Sequence, residues 1–310
     1  MKDRILPIPF SLGPYGVHTE SIHTRILDVG GASSNANKHN SSNLLRSNVE
    51  VLDPVKYSLM DDDLPDIGEF ARSVSSMQLA TADIIENVWN DTRRLAVIGG
   101  DHSVAIGTGT GIARCQNMSK VGMVFVDSHG DFNTSKISKS KSVTGYPLAV
   151  NLGHGDDFFT SPFNKNFLNH AIHIGMRDVD PWEADMIPEL PLTIYNTIDV
   201  ETRGIGAIIQ QVSSELKEFD QIWISLDVDV LDPIYLLPGE TDVPVPGGMT
   251  PRELLAIIYQ LSKDPRCKVL EIVQLNEIGR TTPSVVLASR MLELFFGLGY
   301  NRYGEMGISS

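Results

Sequence analysis

Five stretches of the chain are almost unbroken in apolar residues: RLAVIGG (94–100), VGMVFVD (121–127), AIHIGM (171–176), QIWISLDV (221–228) and CKVLEIVQL (267–275). Short runs of this kind, without polar alternation, predict strands covered on both faces. Between them, apolar positions recur at helical spacing over 203–218 and 250–262. In MTPREL (249–254), Thr250 stands as an N-cap, with Pro251 at the first helical position and Glu253 at the third, the pattern of a helix start. Strand alternating with helix predicts an α/β fold of three layers, a mostly parallel sheet with helices on both faces. Residues 30–48 and 135–142, rich in Ser with Asn or Lys, read as surface loops, and SRMLELFFGLGYNRYG (289–304) contains an apolar helix for the core. No linker or repeat divides the chain, so 1–310 reads as a single domain.

Three of the predicted strands end in acidic residues. Strand 94–100 runs into Asp101 and His102, strand 121–127 into Asp127, His129 and Asp131, and strand 221–228 into Asp227, Asp229 and Asp232. Alternation places Asp127, His129 and Asp131 on one side of the chain, where a merely structural strand end has no use for three ionisable groups. In a parallel sheet the carboxyl ends of the strands lie along one edge, where ligands bind. His102, Asp127, His129, Asp131, Asp227 and Asp229 can therefore meet there. Four carboxylates this close stay ionised together only around cations, and two neutral imidazoles complete the donor set. The mixed O/N donor set suits Mn²⁺, Fe²⁺ or Zn²⁺, and six side chains are too many for one tetrahedral ion, so they fit a pair of metals. Any one D-x-D or D-x-H alone is more often a turn or a cap; the inference rests on three of them following three strands.

The net charge of −14 over 310 residues speaks against nucleic acid or an anionic membrane as partner and suits a cationic substrate or metal ions. Two widely spaced cysteines, Cys115 and Cys267, form no disulfide framework. With no run long enough for a signal peptide or a membrane span, the expected location is the cytoplasm.

GGDHS, VDSHGDFNT and SLDVDVLDP together resemble the metal signatures of the arginase–agmatinase (ureohydrolase) family, over about residues 92–296. The resemblance implies a dimanganese hydrolase that converts a guanidino group to urea and an amine, although other divalent transition metals remain open. It implies one ion on His102, Asp127, Asp131 and Asp227, and the other on His129, Asp127, Asp227 and Asp229. It further gives Asp131 the transfer of the nucleophile's proton to the leaving amine. Asn133 and Ser140 fall where arginases hold the substrate α-carboxylate, and Asp178 and Asp180 match an acidic pair whose second member lies near the α-amino group. The family also implies a homo-oligomer, a trimer or hexamer.

The chain departs from the family in two places. Thr144 stands where arginases carry a proton-shuttling histidine, a role that Thr cannot fill and for which His154 is the candidate nearest in sequence. Gln274 stands where the family has the glutamate that pairs with the guanidinium. The segment PGETDVPVPGG (238–248) is one residue longer than the family's and adds Glu240 and Asp242; one of these, or Glu277, is the expected replacement for the missing charge. The sequence thus predicts a manganese-dependent amidinohydrolase of the arginine-to-ornithine type, acting on free arginine, another small guanidino compound or an arginine side chain in a peptide. Two readings stand beside it: a two-metal hydrolase of a non-guanidino C–N bond, which would explain Gln274, and a non-catalytic metal-binding relative.

Overall fold

The structure, a computed structural model, describes residues 1–11, 22–29, 41–60, 64–115, 120–163, 168–276, 278 and 282–298. Its frame is an eight-stranded sheet: β1 (Lys2–Ile8), β2 (Glu50–Val51), β3 (Thr92–Gly99), β4 (Val121–Val126), β5 (Leu168–Ile174), β6 (Leu192–Tyr195), β7 (Gln221–Asp227) and β8 (Cys267–Val273). The order across the sheet is β2-β1-β3-β8-β7-β4-β5-β6, and every strand pair in it is parallel.

Alternation along each strand builds two cores. Ala96, Ile98, Val124 and Val126 join a cluster with the helices Ile205–Glu215, Pro251–Leu261 and Pro283–Phe296. Their neighbours Leu95, Val97, Met123 and Phe125 join a second cluster, with Ala71–Val88, Val104–Cys115 and Pro147–Asn151. Burial on both faces is why the strands read as continuous apolar runs. The helix start at Thr250 has the capping box its sequence predicts, Glu253 N–H donating to Thr250 Oγ1 at 3.3 Å and Thr250 N–H to Glu253 Oε2 at 2.8 Å.

Three strands escape the sequence pattern. β1 contains Pro7, which argues against an internal strand. It is tolerated because β2 pairs β1 only at Arg4 and Ile5, so the missing N–H has no ladder partner to lose. β2 and β6 span two and four residues at the sheet's edges, too short for a periodic signal. The loop expected over 30–48 is corrected in part: Ser41–Asn48 is a helix, anchored by Leu45, which is fully buried. Residues 30–40 lie outside the described residues. The stretch 135–142 has no regular strand or helix, and Pro283–Phe296 packs into the core as its apolar sequence predicts.

The carboxyl ends of β3, β8, β7 and β4, neighbours at the centre of the sheet, meet at one edge. Close backbone approaches set that edge. Gly100 follows β3 with its Cα against β1's end: an added Cβ would fall 1.9 Å from the Phe10 carbonyl oxygen. The Gly100 carbonyl also accepts the Gln274 N–H at 2.6 Å. Gly100→Ala is therefore expected to push β1 and β3 apart and to destabilise the fold by about 1–3 kcal/mol. Chemical denaturation measures this, and a variant as stable as wild type would contradict the close approach.

Candidate metal centre

His102 follows β3 at the start of the turn into Val104–Cys115, and its ring stacks on Phe125 of β4 with centroids 4.5 Å apart and planes at 3°. Its tautomer is fixed from behind. Glu271 of β8 is fully buried and accepts hydrogen bonds from Thr108 Oγ1 at 2.5 Å and Ser225 Oγ at 2.8 Å. With its one proton given to Glu271, Ser225 must accept from His102 Nε2–H, 3.0 Å away. In the neutral ring Nδ1 is then the lone pair; burial opposes protonation, but the carboxylates it faces outweigh this and raise the ring's affinity for a proton well above that of an ordinary histidine. Nδ1 faces Asp127 Oδ2 at 2.8 Å, Asp131 Oδ2 at 3.1 Å and Asp227 Oδ2 at 3.4 Å.

His129 stands on the other side of Asp127, with Ser128 Oγ 3.0 Å from its Nδ1. Its Nδ1 lies 3.0 Å from Asp229 Oδ2 and 3.6 Å from Asp127 Oδ1. Its carbonyl accepts His173 Nε2–H at 2.7 Å. The carboxylates are aimed by their own neighbours: His129 N–H donates to Asp127 Oδ1 at 2.7 Å, Asp229 N–H to Asp227 Oδ1 at 2.7 Å, and Ser128 Oγ to Asp229 Oδ1 at 2.7 Å. Arg177 ties down the loop behind them, donating to the carbonyls of Asp229, Val230, Leu231 and Val245. Asp131 sits at φ 56°, a left-handed conformation that an Asp tolerates better than most residues.

Two groups of converging donor atoms result, His102 with Asp127 and Asp131, and Asp127 with His129 and Asp229, sharing Asp127. Asp227 borders the first through His102. Donor chemistry decides whether a cation fits. His102 Nδ1, Asp127 Oδ2 and His129 Nε2 are buried without a hydrogen-bond partner, and the first two are acceptors facing each other at 2.8 Å. Two lone pairs at that distance repel unless a proton or a cation lies between them. Divalent metal ions fit this donor set.

The electrostatics carry the same mark. Burial and the charge of Asp127 push Asp131 up to about 6, and burial with the charges of Asp229 and Asp127 raises Asp227 well above the carboxylate range. Burial opposes protonation of His129, but its contacts with Asp127 and Asp229 outweigh it and push the ring up to about 12. The cluster thus draws positive charge to itself.

The cluster floors a cavity of about 340 Å³. Its wall includes Asn133, Ser140, Thr144, Asp178, Asp180 and Gln274. Asn133 Oδ1 accepts Trp182 Nε1–H at 2.8 Å and its Nδ2 donates to Asp180 Oδ2 at 3.5 Å. Thr144 Oγ1 pairs with Ser142 Oγ at 2.8 Å. Gln274 holds φ 59°, so its side chain is presented from a constrained backbone.

Other expected residues stand elsewhere. His154 is exposed on the turn after Pro147–Asn151 and does not line the cavity. Glu240 is fully buried and does not line it either; its Oε1 accepts Ser284 N–H at 3.0 Å and Ser284 Oγ–H at 2.6 Å, and its Oε2 accepts Leu237 N–H. Asp242 is half-buried and does not line the cavity, although its chain neighbour Val243 does. Glu277 lies outside the described residues.

Sequence reasoning passed over Glu183, Ser225, Glu271, Arg177 and His173. Glu183 lines the cavity, accepts Phe132 N–H at 3.1 Å and Asp180 N–H at 3.1 Å, and is pushed up to about 8 by burial and by the charge of Asp131. The helix-start pattern D-P-x-E at 180–183 could have signalled it.

The profile of the Arginase family matches residues 27–296 of the chain. An arginase of Bacillus caldovelox is 34% identical over 213 residues, which cover 67% of this chain and 69% of that protein. The crystal structure of an arginase from Bacillus caldovelox superposes with a TM-score of 0.82 at 27% identity, covering 96% of this chain and 99% of that one. An Entamoeba histolytica arginase crystallised with L-ornithine shares the fold, with a TM-score of 0.79 at 22% identity and coverage of 96% and 99%.

Ser225→Ala leaves both the His102 N–H and Glu271 short of a partner. It is expected to weaken divalent-metal binding about 10- to 100-fold, measured by calorimetric titration; unchanged affinity would contradict the relay. His173 gives a pH prediction. Burial holds its ring down to about 4, so the unfolded chain takes up its proton first as pH falls. The stabilisation is complete above about pH 6.5 and is lost as pH falls toward 4, by about 3 kcal/mol. In chelator, His173→Gln is expected to remove this slope, read as the difference between the two proteins' denaturation midpoints across that range. Parallel pH profiles would show that His173 is not held neutral.

Proposed function

The chain belongs to the arginase family, and from that premise we propose that it is a metal-dependent amidinohydrolase that converts a guanidino group and water to urea and an amine, in the manner of arginine to ornithine. The observation that carries this reading is His102 Nδ1, oriented by its relay and aimed at three carboxylate oxygens on the floor of a cavity. We assign one metal ion to His102, Asp127, Asp131 and Asp227, and a second to His129, Asp127, Asp227 and Asp229, with manganese the expected metal. Two such ions, when bound, lower the pKa of water and so supply hydroxide near neutral pH.

The protein's own side chains do the rest. Asp131, bent toward the cluster by its left-handed backbone, takes the nucleophile's proton and passes it to the nitrogen that leaves when the C–N bond breaks. Gln274 offers an amide oxygen to the guanidinium. Asn133 and Ser140 orient the far end of the substrate, and Asp180 favours a cationic group there. Thr144 can hold a hydrogen bond but cannot carry a net proton, so proton delivery rests on Asp131 and water. The Entamoeba histolytica arginase was crystallised with L-ornithine, the amine that arginine would yield, which favours arginine, free or as a side chain in a peptide. Gln274 favours a second reading, hydrolysis of a neutral C–N substrate that needs no carboxylate partner.

Mn²⁺-loaded protein is expected to release urea from at least one of free L-arginine, agmatine, guanidinobutyrate and an arginine-containing peptide. Asp131→Asn is expected to lower kcat about 10²- to 10⁴-fold. No urea from any of the four, with metal bound, would move the second reading to the front.

A further inference from the structure

The short helix Pro181–Ala184, after β5, grips the stretch that leaves the metal cluster at two successive residues. Glu183 accepts Phe132 N–H at 3.1 Å, and Trp182 Nε1–H donates to Asn133 Oδ1 at 2.8 Å. Asn133 is buried and lines the cavity. A side-chain amide can turn either its oxygen or its nitrogen toward a neighbour. Here the neighbour decides, because an indole N–H can only donate. The oxygen is committed to Trp182, and the nitrogen, Nδ2, is turned away from it. Among the described residues the acceptor of Nδ2 is Asp180 Oδ2, at a long 3.5 Å. An amide nitrogen carries two hydrogens, so at least one is left for a molecule in the cavity.

The indole is itself held in place. Trp182 is half-buried, and Lys139 Nζ lies 4.2 Å from the centroid of its ring, a cation–π contact made from the 135–142 stretch. Ser140, the next residue, lines the cavity. Lys136, Lys139 and Lys141 concentrate positive charge on this stretch, in a chain whose net charge is −14. Lys141 Nζ is spent on the Ser135 carbonyl, whereas Lys139 stands exposed over the indole. The wall that Asn133 and Ser140 share thus offers N–H and O–H donors with a cation beside them, the chemistry that holds a carboxylate.

We propose that Trp182, braced by Lys139, is the positioning residue that turns the Asn133 amide nitrogen toward the substrate, and that the substrate is a guanidino compound with a free carboxylate at its far end. The role depends on the guanidino reading above and narrows it: agmatine, which has no carboxylate, and an arginine side chain within a peptide gain nothing from this latch. The contact lies away from the bond that breaks and is the same in ground and transition states, so its loss acts on KM more than on kcat.

The test uses the full-length, Mn²⁺-loaded protein and two probes that differ only in the carboxylate, L-ornithine and putrescine, whose binding is measured by calorimetric titration without turnover. Trp182→Phe keeps a ring for Lys139 to stack on and removes the N–H. The wild type is expected to bind L-ornithine more tightly than putrescine. Trp182→Phe is expected to bind L-ornithine about 3- to 10-fold more weakly, the range of one hydrogen bond, with its putrescine affinity unchanged. KM for free L-arginine is expected to rise by the same factor, with kcat within a few-fold. Asn133→Ala is expected to lose at least as much, and adding Trp182→Phe to it to cost nothing further, because the indole acts through the amide. No preference for L-ornithine in the wild type, equal weakening of both probes in Trp182→Phe, unchanged L-ornithine affinity, or losses that add in the double variant would overturn the role. A wild type that prefers L-ornithine but releases no urea from any guanidino compound would defeat the guanidino reaction and not the latch.

Discussion

Like charges cannot be buried side by side without a counter-ion, and the centre of this protein is organised around that constraint. Asp127, Asp131, Asp227 and Asp229 lie within the reach of two imidazoles at nine-tenths burial or more. Hydrogen bonds aim Asp127, Asp227 and Asp229 but do not neutralise them, because backbone N–H groups and a serine hydroxyl supply no net charge. The Glu271–Ser225–His102 relay holds one imidazole with its Nδ1 facing the same space. Cations are the simplest resolution, and the sheet edge is shaped to receive them.

The fold serves this edge by making four adjacent strands end together. All-parallel pairing puts the ends of β3, β8, β7 and β4 in register, and burial on both faces keeps them from moving apart. Gly100 lets β1 press against β3, while Arg177 gathers the carbonyls of the turn after β7. The strained backbones of Asp131 and Gln274 fall at the cavity and nowhere in the strands. Rigid elements thus carry the charged groups, and the loops that cross the cavity mouth carry the residues that would meet a substrate.

The five central and near-central strands were legible because each is a short apolar run, and the cluster because its residues alternate directly after them. β1 was hidden by Pro7, whose lost N–H matters only in relation to a partner strand far along the chain. Glu271 was passed over within the apolar run CKVLEIV; its meaning depends on Thr108 and Ser225, which reach it from other elements. Glu240 and Asp242 were indistinguishable as an acidic turn until the contacts with Ser284 and Asn276 separated them. Local pattern thus revealed what lies along the chain, whereas pairings between distant segments decided which polar residues serve structure.

The account turns on a pair of cations sharing Asp127, and metal stoichiometry tests that most directly. Protein titrated with Mn²⁺ should bind two ions per chain by elemental analysis. Its low-temperature electron paramagnetic resonance spectrum should show exchange coupling, as expected for ions about 3.5–4 Å apart. One ion per chain with the six-line signal of isolated Mn²⁺, or two ions without coupling, would contradict the shared centre from which the rest of the account is built.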